Sequence, residues 1–94
     1  MSEGDIMVKV KKILLDVLKP HEPGVLEFAR TIAAQGDDYR VELTVAEMDD
    51  KTETLQLIIE GADIQLETIV SAINSMGGSL HSIDGVDVVN VKPE

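Results

Sequence analysis

Hydrophobic positions along this chain alternate between two periods. From Lys9 to Lys19 they follow a two-residue repeat, with Ile13, Leu15 and Val17 on one side and Leu14, Asp16 and Leu18 on the other. That is the pattern of a strand whose two faces meet different surroundings. Pro20 ends the strand, because proline cannot donate to a ladder. After His21 and Glu22, Pro23 suits the first position of a helix. Val25, Phe28, Ala29 and Ile32 then recur on one helical face, and Gly36 is expected to stop it.

Alternation returns from Tyr39 to Met48, where Val41, Leu43 and Val45 oppose Arg40, Glu42 and Thr44. Asp49-Asp50-Lys51 reads as a polar turn, followed by a return strand, Thr52 to Glu60, with Leu55, Leu57 and Ile59 inward. Past Gly61, Asp63 is positioned to cap a second helix whose stripe is Leu66, Ile69, Val70 and Ile73. Gly77-Gly78 closes it. A last strand runs from about Ser79 toward Val91, with a bulge expected at Gly85.

The order is β-α-β-β-α-β, and the stripe of the first helix recurs in the second at the same internal spacing. Two βαβ units with right-handed crossovers predict an α+β, ferredoxin-like sandwich. Its four-stranded antiparallel sheet takes the order 4-1-3-2, with both helices on one face. The 94 residues then make a single domain over 9–94, preceded by a disordered lead-in over 1–8. On this architecture Asp16 lies on the open face of a central strand, beside Leu14, Leu18, Thr54, Gln56 and Ile58. Such a face is too apolar to sit bare in water, and another copy of the chain is its expected cover.

Composition narrows the functional classes. Aromatics are 2% against 44% hydrophobic residues, so the core is aliphatic apart from Tyr39 and Phe28. The absence of cysteine removes disulfides, thiolate metal sites and cysteine nucleophiles. A net charge of −10 argues against nucleic-acid binding and suits cation binding. The basic run Lys9, Lys11 and Lys12 reads as a solvated strand start. No stretch is apolar enough for a membrane span, and MSEGDIMVKV lacks the plan of a secretion signal, so a cytoplasmic protein is expected.

Four segments carry a resemblance: LDVLKPHEP at 15–23, EMDDKTET at 47–54, IEG at 59–61 and GGSLHSIDGV at 77–86. Together they are similar to a group of small archaeal proteins catalogued as domain of unknown function 211, over nearly the whole chain from about Lys12. The resemblance implies a ferredoxin-like fold, assembly into closed rings, no established enzymatic activity, and bound divalent cations such as calcium. The chain departs from the family pattern at Gln65, where an acid is usual before the second helix, and in its continuing ending VDVVNVKPE. The first departure weakens the cap and the second bears on the edge contact.

Three constellations are candidates for chemistry. Glu47, Asp49, Asp50 and Glu53 crowd carboxylates around one hairpin, the kind of oxygen-rich set calcium takes, though without the EF-hand spacing. If fourth and second strands of neighbouring subunits meet, Asp84 and Asp87 approach Glu47 and Asp49, and a cation there would offset carboxylate repulsion. His81 and Ser82, on the strand beside Asp16, are expected to form a polar or interface pair with it, a pH-sensitive contact. No nucleophile elbow or oxyanion donor accompanies Ser82, so a catalytic triad is not expected and the chain is read as no enzyme. His21 and Glu22 read as helix-entry residues. The competing function is a small-molecule sensor, since amino-acid-binding regulatory domains share this element order; it would act on a separate partner.

Overall fold

A computed structural model describes residues 7–91. Six elements follow in the expected order: β1 (Val8–Pro20), α1 (Val25–Ala33), β2 (Arg40–Met48), β3 (Thr52–Glu60), α2 (Leu66–Ser75) and β4 (Ser79–Asn90). The strands form one antiparallel sheet in the order β2-β3-β1-β4, the ferredoxin-like arrangement. Of the lead-in expected over 1–8, residues 1–6 lie outside the described residues, while Val8 already pairs with Asn90 as the start of β1.

The core is where the two periods meet. Ile13, Leu15 and Val17 of β1 and Leu55, Leu57 and Ile59 of β3 point the same way, and Phe28, Ile32, Ile69 and Ile73 of the helices close over them. Each such aliphatic side chain contributes roughly 1.5–3 kcal/mol through burial. The strict register, Leu15 opposite Leu57 and Asp16 opposite Gln56, keeps Asp16 on the other face as its phase requires.

Several boundaries differ from the sequence pattern for local reasons. α1 begins at Val25 with Gly24 as its N-cap, because Pro23 belongs to the preceding turn, where its carbonyl is held by the Lys19 ammonium at 2.7 Å. α1 ends at Ala33, short of Gly36; a side chain at Gly36 would collide with the Tyr39 ring. Asp63 does not cap α2. Its carboxylate lies 3.4 Å from the Val10 N–H, and the Gln65 N–H at the helix start donates to the Tyr39 hydroxyl at 2.7 Å. α2 does stop at the glycine pair: Gly77 is left-handed, φ 85°, and the Gly78 N–H donates to the Ile73 carbonyl.

β4 is bulged at two places against β1. His81 is the extra residue between the pairs Asp16–Ser82 and Val17–Leu80, and Asp84 the extra one between Leu14–Gly85 and Leu15–Ile83. The bulge expected at Gly85 thus falls on its neighbour. Gly85 instead pairs with Leu14, against whose side chain a Cβ would make contact at 3.5 Å. Pairing with β3 starts only at Lys12, so Val8–Lys11 and Val88–Asn90 run on past β3 as a two-stranded ribbon, consistent with overall dimensions of 54 × 22 × 18 Å.

Leu57 is fully buried on β3, one of the two central strands, and so is a sensitive core site. Leu57→Ala is expected to cost about 2–5 kcal/mol in urea unfolding, without a change of fold by circular dichroism.

Candidate functional site

Two polar constellations stand at the same end of the sheet, on opposite faces. The buried one begins with the β1 alternation carried one step further. Lys19 has the phase of Val17 and Leu15, so its side chain enters the helical layer, where it is 0% exposed. Glu53 has the phase of Leu55 on β3, and the register places it directly opposite Lys19. A buried ammonium is tolerable only if its protons are matched. Here Nζ donates to the carbonyls of Pro20 and Pro23, both at 2.7 Å, and lies 3.0 Å from Glu53 Oε1. The His21 carbonyl, at 3.4 Å, and the Phe28 ring, 5.8 Å to its centroid, complete the surroundings.

Glu53 has its second oxygen on His21. Oε2 is 2.9 Å from Nδ1 of the imidazole, and Nε2 on the far side of the ring faces the carbonyls of Asp49 (3.0 Å) and Asp50 (2.9 Å). The β1–α1 turn, the β2–β3 hairpin tip and the core are thereby joined through three side chains. The hydrogen bond to Glu53, aided by the Asp50 carbonyl, raises the His21 pKa above its ordinary value. The bond to His21 and the Lys19 ammonium hold the Glu53 carboxyl below the usual carboxylate range.

This geometry corrects the carboxylate cluster expected at the hairpin. Glu53 is buried on the helical side and engaged by the Lys19 ammonium and the His21 imidazole, so it is withdrawn from any cation site with Glu47, Asp49 and Asp50. The remaining three are divided as well. Asp49 and Asp50 line an open depression at the tip with Met48, Lys51 and Thr52, whereas Glu47 lines a separate cleft on the open face. Among the described residues, no three His, Asp or Glu side chains converge closely enough to hold a metal ion. Reading His21 as a helix-entry residue missed its pairing. The signal was present, since the inward phase of both strands extends to Lys19 and Glu53.

The exposed constellation is the cleft, about 310 Å³, formed by Asp16, Val17, Leu18, Glu47, Thr54 and His81. The β4 bulge turns His81 toward β1, so that Nδ1 sits 3.2 Å from Asp16 Oδ2, the pair the sequence suggested. His81 is 77% exposed, an arrangement in which an ion pair contributes little. Ser82 turns away from it: its hydroxyl donates to Asp84 Oδ1 at 2.8 Å, so Ser82, His81 and Asp16 do not form a relay. Asp84 and Asp87 are exposed on β4, at the opposite edge of the sheet from Glu47 on β2, and do not meet it within one chain.

The fold and these clusters define a small α+β protein of the ferredoxin-like class. The family model of domain of unknown function 211, described as "Uncharacterized ArCR", matches residues 11–91, and the chain belongs to that family. It is also similar to the uncharacterized protein MJ0319 of Methanocaldococcus jannaschii, 39% identical over 77 residues, which span 82% of this chain and 79% of the relative. Among the described residues, no helix is long and apolar enough to cross a membrane.

The contrast between the two clusters is measurable. Lys19→Met leaves the buried Glu53 carboxylate with His21 as its one remaining side-chain partner and is expected to lower the urea midpoint clearly, with Glu53→Met on the same chain recovering part of the loss. His81→Ala, which breaks only the exposed pair, is expected to leave the midpoint nearly unchanged.

Proposed function

We propose that this chain is a non-enzymatic subunit of a homo-oligomer, joined through the β4 edge. What carries the reading is the apolar surface of β4. Ile83, Val86 and Val88 pair with Leu15, Ile13 and Val10, so they share the face that forms the core. Yet they remain 48%, 63% and 48% exposed, because the helices do not extend over this part of the strand. The core's own surface thus runs out to a sheet edge and into solvent. From Gly85 to Asn90 β4 itself carries no extra residue, the one register shift there falling on β1 at Lys11, and its outer backbone donors and acceptors are unpaired among the described residues. An apolar patch continuous with the core, on an edge able to accept a strand, fits a second copy of this chain.

The opposite edge, β2, is also unpaired and carries exposed Val45 and Met48. Joining β4 of one subunit to β2 of the next is a heterologous contact, which closes into a ring when the rotation allows. The half-buried open face, with Leu14 and Ile58 partly covered and Leu18 exposed, is a further surface for neighbours. In such a junction Asp84 and Asp87 of one subunit come beside Glu47 of the next. A divalent cation such as calcium is the ligand that oxygen-only junction would take, and it would relieve repulsion in a chain of net charge −10.

Sedimentation equilibrium tests the assembly. A defined oligomer is expected at micromolar concentration, and Val86→Lys with Val88→Lys is expected to yield a folded monomer, since both side chains lie outside the core. A monomeric wild-type chain would overturn the reading. For the cation, millimolar calcium is expected to raise the melting temperature of the oligomer and a chelator to reverse it. Asp84→Asn with Asp87→Asn should remove that response.

A further inference from the structure

His21 occupies a site with acceptors on both sides of its ring. Glu53 Oε2 faces Nδ1 at 2.9 Å, and the Asp49 and Asp50 carbonyls face Nε2 at 3.0 and 2.9 Å. A neutral imidazole carries one N–H and one lone pair, so it can satisfy only one of those sides. The imidazolium, with two N–H groups, satisfies both. The acceptors are held by groups other than His21. Glu53 is fixed by the buried Lys19 ammonium, and the hairpin turn is closed by the Asp49 N–H donating to the Thr52 carbonyl at 2.8 Å. Charged groups on the elements around the ring are Lys19 on β1, Glu22 on its own turn, Glu53 on β3, and Asp49, Asp50 and Lys51 at the tip.

We propose that His21 is a proton-operated latch: protonated, it ties the β2–β3 hairpin tip to the β1–α1 turn, and on losing its proton it releases the tip while the core pair Lys19–Glu53 stays in place. The released element is small and local. The backbone bond from Asp49 to Thr52 keeps the turn itself, and only the docking of Asp49–Lys51 against His21 is lost. The latch requires nothing from a neighbouring subunit and stands independently of the assembly reading.

The sign of the pH dependence follows from the two partners. The folded state raises the imidazole above its ordinary 6.5, so the latch contributes fully below that value and fades as pH rises through the higher folded-state value. Glu53 is shifted the other way. Its contribution is present above the ordinary 4.5 and is lost only as pH falls through its lowered folded-state value. The latch is therefore closed in mildly acidic solution and opens toward alkaline pH.

Nuclear magnetic resonance on the full chain, with His81→Gln in the background to leave one imidazole, tests this directly. The His21 ring is expected to titrate above 6.5, and the amide shifts of Asp50 and Lys51 to move with the same midpoint. Their backbone order parameters should fall on the alkaline side. His21→Gln is expected to hold the tip in its alkaline state at every pH. Tip amides that stay flat across the His21 titration, or that still titrate with an unchanged midpoint in His21→Gln, would overturn the latch. A wild-type ring titrating at or below the ordinary value would overturn it too, whatever the variants do.

Discussion

The Lys19 ammonium is the constraint on which one end of this molecule depends. It sits at the end of the central strand, out of reach of water, and its protons are directed to the Pro20 and Pro23 carbonyls and the Glu53 carboxylate. A charge in such a place organises its surroundings, because any geometry that leaves it unmatched is costly. The path of the chain from β1 into α1 bends around this cation. Pro23 consequently serves the turn, and the helix waits until Val25. The same cation fixes Glu53, Glu53 fixes His21, and His21 reaches the hairpin tip.

The two sides of the sheet are thus put to different uses by one alternation. Inward positions of β1 run from Ile13 through Leu15 and Val17 to Lys19, apolar until the last step, which is ionic. Outward positions carry Asp16, which meets His81 only because a bulge adds a residue to β4. Acidic residues that look like one cluster along the hairpin end in three environments: Glu53 in the core by the alternation of β3, Glu47 on the open face because a β2 bulge at Ala46 reverses its phase, and Asp49 and Asp50 at the tip. Proximity in sequence is a poor guide to a shared site in a strand, because neighbours point apart.

The edge of the molecule obeys a related logic. β4 inherits the apolar phase of β1 through their register, but the helical layer covers it only near Leu80, so Ile83, Val86 and Val88 are core-type residues without a core. The two β4 bulges fall toward its N-terminal half, and the register shift farther along, opposite Asp87 and Val88, is taken up by Lys11 of β1, so Gly85–Asn90 has no inserted residue of its own. Regular backbone and apolar side chains therefore coincide on one segment, while the acidic side chains Asp84 and Asp87 stand beside it.

Hydrophobic periodicity by itself determined the element order, the sheet topology, the aliphatic core and the face on which Asp16 stands. These follow from burying every apolar stripe once, and only one simple topology does so. The Asp16–His81 contact was legible because adjacent strands bring such residues together. The Lys19–Glu53 pair was equally written in the phase of β1 and β3, but a rule that expects apolar residues inside stops reading when it meets a charge. Only the tertiary structure decided the rest: that Tyr39 rather than Asp63 serves the start of α2, that His21 reaches a hairpin far along the chain, and that Glu53 leaves its acidic neighbours. Those outcomes depend on where a bulge or a turn directs a side chain in three dimensions, and such directions are set by long-range packing that no local pattern encodes.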